Sequence, residues 1–177
     1  MHRETFLVGD AGTVVVDIDG RGARVASLDV SPGWAVSKQF PRRWARRRPT
    51  PAVSVFLRRG ALHEWEVEVA LPADGRWQAA VNEQWPDHRP ESVTTPAGTA
   101  RFRWDDGRVH LVEVVPAAGW VDRIDASDAE DAFVTFCRDT EVWEVAVMSD
   151  FHGRAQTVVQ REHSWRLDLG ASADTAR

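Results

Sequence analysis

The chain has 177 residues, of which 43% are hydrophobic and 28% are charged, a balance typical of a globular protein. Its net charge of −5 argues against a surface-wide affinity for nucleic acid or anionic membranes, and no stretch approaches the roughly 20 apolar residues of a membrane span. The single cysteine, Cys137, excludes an internal disulfide.

Turn signals and apolar alternation predict six antiparallel strands in the first half of the chain. Asp19-Gly20 marks the first turn, because Gly accepts a positive φ and Asp tolerates one. Pro32-Gly33 ends the second strand, and Asp74-Gly75 turns the chain into the sixth. The expected strands are 13–18, 23–30, 34–39, 52–58, 62–71 and 76–84, and residues 5–8 are a candidate for an additional edge strand.

An arginine-rich loop at residues 41–51, PRRWARRRPTP, separates the third and fourth strands. Guanidinium groups bind carboxylates or phosphates with paired donors, and Trp44 can stack on a base or anchor a partner. The loop is therefore either a partner-binding arm or a solvated loop whose arginines balance the acidic strands. The candidate binding residues are Arg42, Arg43, Trp44, Arg46, Arg47 and Arg48.

The second half begins with a proline-containing linker at 87–97 and ends in a flexible tail at 167–177. Six further strands are predicted between them. They are 99–104, 109–115, 119–124, 133–138, 142–149 and 154–163.

The two halves look like diverged copies of one unit. Residues 12–34 and 98–120 both begin with Gly-Thr and end with Gly-Trp, and each spans 22 positions (34 − 12 = 22; 120 − 98 = 22). Later segments repeat at shorter offsets: AVSVFLR from Ala52 answers AFVTFCR from Ala132, an offset of 80. This alignment matches Cys137 with Leu57 and predicts a buried, inert thiol.

We therefore predict an all-β fold of two tandem, diverged copies of a six-stranded antiparallel unit. The first copy covers residues 1–86 and the second covers 98–166. Edge-to-edge pairing of the copies would form one pseudo-twofold barrel or sandwich and hide their edges. The alternative is two small β domains. The single body is favoured because about 85 residues is small for an independent core.

Catalytic chemistry has only weak candidates in this sequence. Glu113 falls on the same predicted strand face as apolar neighbours, and burial would disfavour its charged form. A bulge in that strand, or partial burial of both faces, is the alternative. His110 and Asp125 complete the candidate set. No motif for a metal, a nucleotide or a nucleophile–base pair occurs, so no cofactor is expected.

The repeated Gly33-Trp34 and Gly119-Trp120 corners are expected to belong to the fold, with Gly supplying a special backbone angle and Trp covering the end of the core. If the copies face each other, Trp34, Trp104 and Trp120 would instead line an apolar cavity.

The preferred functional prediction is a non-catalytic β-rich module that binds another protein in the cytoplasm. The cytoplasmic location follows from the absence of an apolar run near the N-terminus. One alternative is a small β-barrel enzyme or carrier of an apolar small molecule, with isomerase, cyclase or lyase chemistry in a Trp-lined cavity. Another is nucleic-acid binding through the arginine-rich loop.

Overall fold

The computed structural model describes residues 1–20, 22–37, 51–72, 74–87, 91–105, 107–125, 131–149 and 154–169, without the side chains at 51, 52, 125 and 149. These residues form fourteen strands, a short 3-10 turn at Gly9–Ala11 and no α-helix, which confirms the predicted all-β class. The first seven strands are β1 (His2–Val8), β2 (Gly12–Asp19), β3 (Gly22–Val30), β4 (Ala35–Ser37), β5 (Pro51–Arg59), β6 (His63–Ala70) and β7 (Gln78–Asp87). The others are β8 (Ser92–Thr95), β9 (Gly98–Asp105), β10 (Arg108–Pro116), β11 (Val121–Asp125), β12 (Asp131–Arg138), β13 (Glu141–Ser149) and β14 (Ala155–Arg166).

The chain divides into two compact units. Unit 1 comprises Met1–Arg59, Trp65–Val81 and Ser164–Arg177. Unit 2 comprises Gly60–Glu64 and Asn82–His163.

Unit 1 is a two-layer sandwich. One layer is the antiparallel sheet β1-β2-β3, and the other contains β4, β5, β6 and the start of β7, each hydrogen-bonded to the next. Alternate residues of both layers point into one apolar core, as the two-residue period of a strand requires. The buried core includes Val14, Val16, Leu57, Val67 and Val69.

Unit 2 repeats this arrangement with its own core. The sheet β8-β9-β10 supplies one layer, and β11 to β14, again each paired with the next, supply the other. The buried residues of this core include Phe102, Val134, Phe136, Val145 and Val147. Trp85 packs edge-on against Trp143 beside them, with ring centroids 5.8 Å apart.

The corner that joins the two layers has the same geometry in each unit. Gly33 and Gly119 have φ angles of 85° and 82°, a region that favours glycine. The amides of Trp34 and Trp120 then donate to the carbonyl oxygens of Ser31 and Ala117 at 3.1 and 3.0 Å. Both tryptophans are buried in their own cores, so the predicted role of the corner is confirmed.

The sheets depart from the prediction in closure and strand number. No sheet closes into a barrel among the described strands, because each strand order has two terminal strands. The candidate edge strand at 5–8 forms as β1, and β8 forms at Ser92–Thr95, inside the segment interpreted as a linker. Leu167 and Leu169, in the segment interpreted as a tail, pack against the core of unit 1.

Candidate functional site

An exposed apolar surface lies on two terminal strands of unit 2. Val112 and Val115 of β10 are 62% and 50% exposed, and Val121 and Ile124 of β11 are 69% and 51% exposed. We call these four side chains the β10–β11 apolar surface. β10 is a terminal strand of the sheet β8-β9-β10, and β11 is a terminal strand of its own sheet. In the described part of the chain, no further strand is hydrogen-bonded to the outer edge of either one.

The terminal position of β11 explains why Ile124 is exposed although it lies opposite a buried residue, Val134. Ile124 lies opposite Val134, and Asp122 lies opposite the fully buried Phe136, so both face the core side of the sheet. They lie at the rim because β11 is the terminal strand. Val121 lies opposite Cys137 on the other face. β11 therefore presents apolar side chains on both faces.

A β-bulge in β10 exposes Val112. Leu111 pairs with Phe102 and Glu113 pairs with Arg101, which leaves Val112 between them without an opposite residue in β9. The extra residue shifts the alternation by one position, so the residues after Val112 face the opposite side from the one that unbroken alternation predicts. The interpretation of Glu113 as a buried carboxylate is therefore wrong, and the alternative of a bulge in that strand is confirmed.

Glu113 instead lies in a surface ion pair. Its carboxylate is 3.1 Å from the guanidinium of Arg101, and its side chain is 47% exposed. His110 lies in the same strand and is exposed. Asp125 ends β11, but its side chain lies outside the described residues. The geometry does not place Glu113 or His110 in a buried acid–base site.

Cys137 is exposed, contrary to the prediction of a buried thiol. Val36 pairs with Leu57, and Asp122 pairs with Phe136, so Phe136 takes the position in unit 2 that Leu57 takes in unit 1. The sequence alignment was one residue out of register here. Since a one-residue slip moves a side chain to the opposite face of a strand, Cys137 faces outward.

Each corner tryptophan is covered by a guanidinium group. Arg59 lies 4.8 Å from the ring centroid of Trp34, and Arg138 lies 4.4 Å from that of Trp120. These are cation–π contacts at the ends of two separate cores. Trp104 packs against the core of unit 2 while remaining partly exposed.

A pocket of about 390 Å³ lies in unit 1, between Gly75–Trp77 and Arg166–Leu169. None of the three predicted cavity tryptophans lines it. Arg76 and Arg166 lie beside Asp74 and Asp168, so the pocket has no strong net charge.

Three charged side chains form a ladder across the outer face of the sheet β1-β2-β3. Asp17 accepts two hydrogen bonds from Arg3, at 2.7 and 3.1 Å, and one from Arg24 at 3.4 Å. Hydrogen bonding from Arg3 lowers the pKa of the Asp17 carboxyl, against the opposing effect of its burial. The same contact raises the pKa of Arg3.

The predicted arm residues, Arg42, Arg43, Trp44, Arg46, Arg47 and Arg48, lie outside the described residues. Within the described ranges no cluster of three or more metal-ligating side chains occurs. No helix in those ranges is long and apolar enough to cross a membrane.

Sequence reasoning missed the β10–β11 apolar surface, although two signals were present. The apolar residues of VDRID, from Val121, occur at both odd and even positions, which does not fit a strand with one wet face. The run from Leu111 to Val115 also breaks alternation at Val112. The irregular pattern at residues 121–125 is explained by the terminal position of β11, and the one at Val112 by the bulge in β10.

No protein-family model, curated protein or solved structure matches the chain. The geometry of the chain alone therefore supports the functional conclusion.

Proposed function

We propose that the chain is a non-catalytic module that binds another protein through the β10–β11 apolar surface. The observation that carries this proposal is the exposure, by half or more, of four branched apolar side chains on two terminal strands of one unit. A large exposed apolar area on a folded protein favours an interaction site.

The composition of the surface favours a protein partner over a small molecule. The four side chains lie on terminal strands and none of them lines the pocket described above, whereas small-molecule sites are concave and enclose most of their ligand. Charged residues lie next to them in the two strands: Glu113, Asp122 and Arg123. An apolar centre with a polar rim is the usual arrangement of a protein–protein interface.

The exposed thiol of Cys137 fits a reducing compartment such as the cytoplasm, because unpaired thiols oxidise in secreted environments. This supports the predicted location independently of the interface.

The proposed module consists of two diverged copies of one sandwich. Both units use the same strand order, and both carry a bulge at the same place: Ala26 is skipped in β3 as Val112 is in β10, 86 residues later. Gly12 and Gly98 both have positive φ and approach the carbonyl oxygens of Asp29 and Val115. These matches favour descent from one duplicated unit.

Photo-crosslinking in the native host tests the proposal. A benzoylphenylalanine at Val121 is expected to form a discrete adduct with one host protein. The same group at Thr94, an exposed residue of β8 in the same unit, is the matched control and is expected to give none.

The crosslinked protein is then purified and its binding to the free chain is measured by calorimetry. The variant Val112→Thr, Val115→Thr, Val121→Thr, Ile124→Thr keeps β-branched side chains, so it is expected to fold. Its affinity should fall about tenfold or more because the apolar centre of the interface is lost. Equal affinity for the variant and the native chain would refute the proposal.

A further inference from the structure

We propose that the protein partner places an acidic side chain against Arg103 and His110, on the outer face of the hairpin formed by β9 and β10. This inference rests on the proposed function and specifies the charge that the partner carries. The site adjoins the β10–β11 apolar surface, because His110 lies two positions before Val112 in β10 (112 − 110 = 2).

Arg103 and His110 lie opposite each other on the outer face of the sheet β8-β9-β10. They are Cα partners in the register of β9 and β10, and both are exposed. Their strand neighbours Phe102 and Val109 are buried in the core of unit 2, so alternation directs Arg103 and His110 outward. Opposite side chains on one face have Cβ atoms about 5 Å apart. One carboxylate can therefore accept hydrogen bonds from a guanidinium N–H and an imidazole N–H at once.

Arg103 is the uncompensated cation of this face. Within the described ranges, neither Arg103 nor His110 makes a side-chain hydrogen bond or an ion pair. The other two arginines on the face each have a carboxylate directly across the hairpin: Glu113 is across from Arg101, and Asp105 is across from Arg108. The hairpin therefore presents one guanidinium to which the described chain supplies no carboxylate.

The same positions in unit 1 show which group is missing. Arg24 lies two residues before the bulge of β3, as His110 does in β10, and its Cα partner in β2 is Asp17. Asp17 accepts a hydrogen bond from Arg24 at 3.4 Å and two from Arg3. In unit 2, Arg103 takes the position of that carboxylate (103 − 17 = 86, the offset between the two bulges). We therefore infer that the anion at this place comes from another molecule.

The charges of the chain favour an acidic protein side chain over nucleic acid as that anion. Nucleic acids are held by several phosphate contacts, and single strands also use aromatic stacking platforms. Among the described residues, the outer face of β9 and β10 offers one uncompensated guanidinium and no Trp or Phe, and the chain has a net charge of −5. A single carboxylate is less affected by that net charge, because the Debye length is about 8 Å at physiological salt.

Calorimetry with the host protein captured by the Val121 crosslink tests the inference. Arg103→Gln removes the guanidinium, and Arg108→Gln is the matched control because it removes an equal charge from the same face. We expect Arg103→Gln to weaken binding about fivefold or more and Arg108→Gln to weaken it less than about twofold. Raising the salt from about 50 mM to about 500 mM should weaken binding of the native chain more than that of Arg103→Gln.

Equal affinities of the two glutamine variants would overturn the inference, because the position of Arg103 would then have no special role. A dimer of this chain that is lost in Arg103→Gln would assign the site to a second copy. A thymidine oligonucleotide that binds as tightly as the captured protein would assign it to nucleic acid, and either result would also overturn the inference. The proposed function fails separately, if the fourfold threonine variant binds the captured protein as tightly as the native chain does.

Discussion

Asp17 joins two neighbouring strands through Arg3 and Arg24, and its ionisation contributes to the stability of unit 1. Because the folded-state pKa of Asp17 is lowered below its unfolded value, the contribution is present above the unfolded pKa. It is lost as the pH falls through the folded-state pKa.

We expect Asp17→Asn to destabilise unit 1 at neutral pH, and the difference from the native chain to shrink as the solution becomes acidic. Urea unfolding at a series of pH values measures this difference. Asp105→Asn, at an exposed carboxylate, is the control and is expected to have little effect at any pH. A loss in Asp17→Asn that stays constant down to strongly acidic pH would show that its ionisation is not responsible.

Adjacent residues of β12 test which face is buried. Phe136 is fully buried, whereas Cys137 is exposed. Phe136→Ala is expected to cost about 3–5 kcal/mol of unfolding free energy, because it leaves a cavity in the core of unit 2. Cys137→Ser is expected to change it by less than about 0.5 kcal/mol. Denaturant unfolding distinguishes the two, and the reverse order would restore the buried-thiol prediction.

At the scale of the element, Gly12 begins β2 where the backbone of β3 comes closest. A Cβ at this position would collide with the carbonyl oxygen of Asp29, and the φ angle of 128° is rare for other residues. Gly107 has a φ angle of 72° but open space around its missing side chain.

We expect Gly12→Ala to lower the free energy of unfolding by more than about 2 kcal/mol, because the steric conflict adds to the backbone strain. Gly107→Ala introduces backbone strain without a steric conflict and should lower the free energy of unfolding by about 1 kcal/mol. Both are measured by urea unfolding with circular dichroism detection. Similar losses for the two variants would mean that the close approach of β2 and β3 is relieved by a small backbone shift.

Much of the strand pattern was predictable because short-range signals determine it. Gly75 sets a turn with a φ angle of 72°, and Gly33 sets a corner with a φ angle of 85°, in a region that only a few residues favour. The chain also turns at Asp19-Gly20 as predicted, but Gly20 does not have the positive φ that the prediction assumed. A bulge in β10 was one of the sequence-based alternatives, but its position at Val112 depends on how β9 and β10 pair and not on the composition of one strand. That single extra residue decides that Glu113 faces solvent.

The alignment of the two halves shows the same limit at longer range. Matching AFVTFCR to AVSVFLR by identity placed Cys137 on Leu57, whereas cross-strand pairing matches Phe136 to Leu57. A sequence alignment compares residue types, whereas the burial of a side chain depends on which face of the strand it occupies. A loop of different length shifts the register by one residue without altering the apparent repeat.

At the scale of the whole molecule, the two units share a plan but differ in what they expose. The core positions agree between them, as Val67 and Val145 illustrate, because each sandwich must fill the same interior. The outward-facing side chains of the terminal strands do not have to fill an interior. Among the described residues, the bulged strand of unit 1 exposes Val25 and Leu28 by 38% and 37%, whereas that of unit 2 exposes Val112 and Val115 by 62% and 50%.

Native mass spectrometry of the chain isolated gently from its own host tests the proposed function most directly. We predict a complex of the 19.8 kDa chain with one protein companion in fixed stoichiometry, which disappears in the fourfold threonine variant of the β10–β11 apolar surface. A bare chain, a chain carrying only a small molecule, or a companion that persists in the variant would contradict a protein-binding role for this surface.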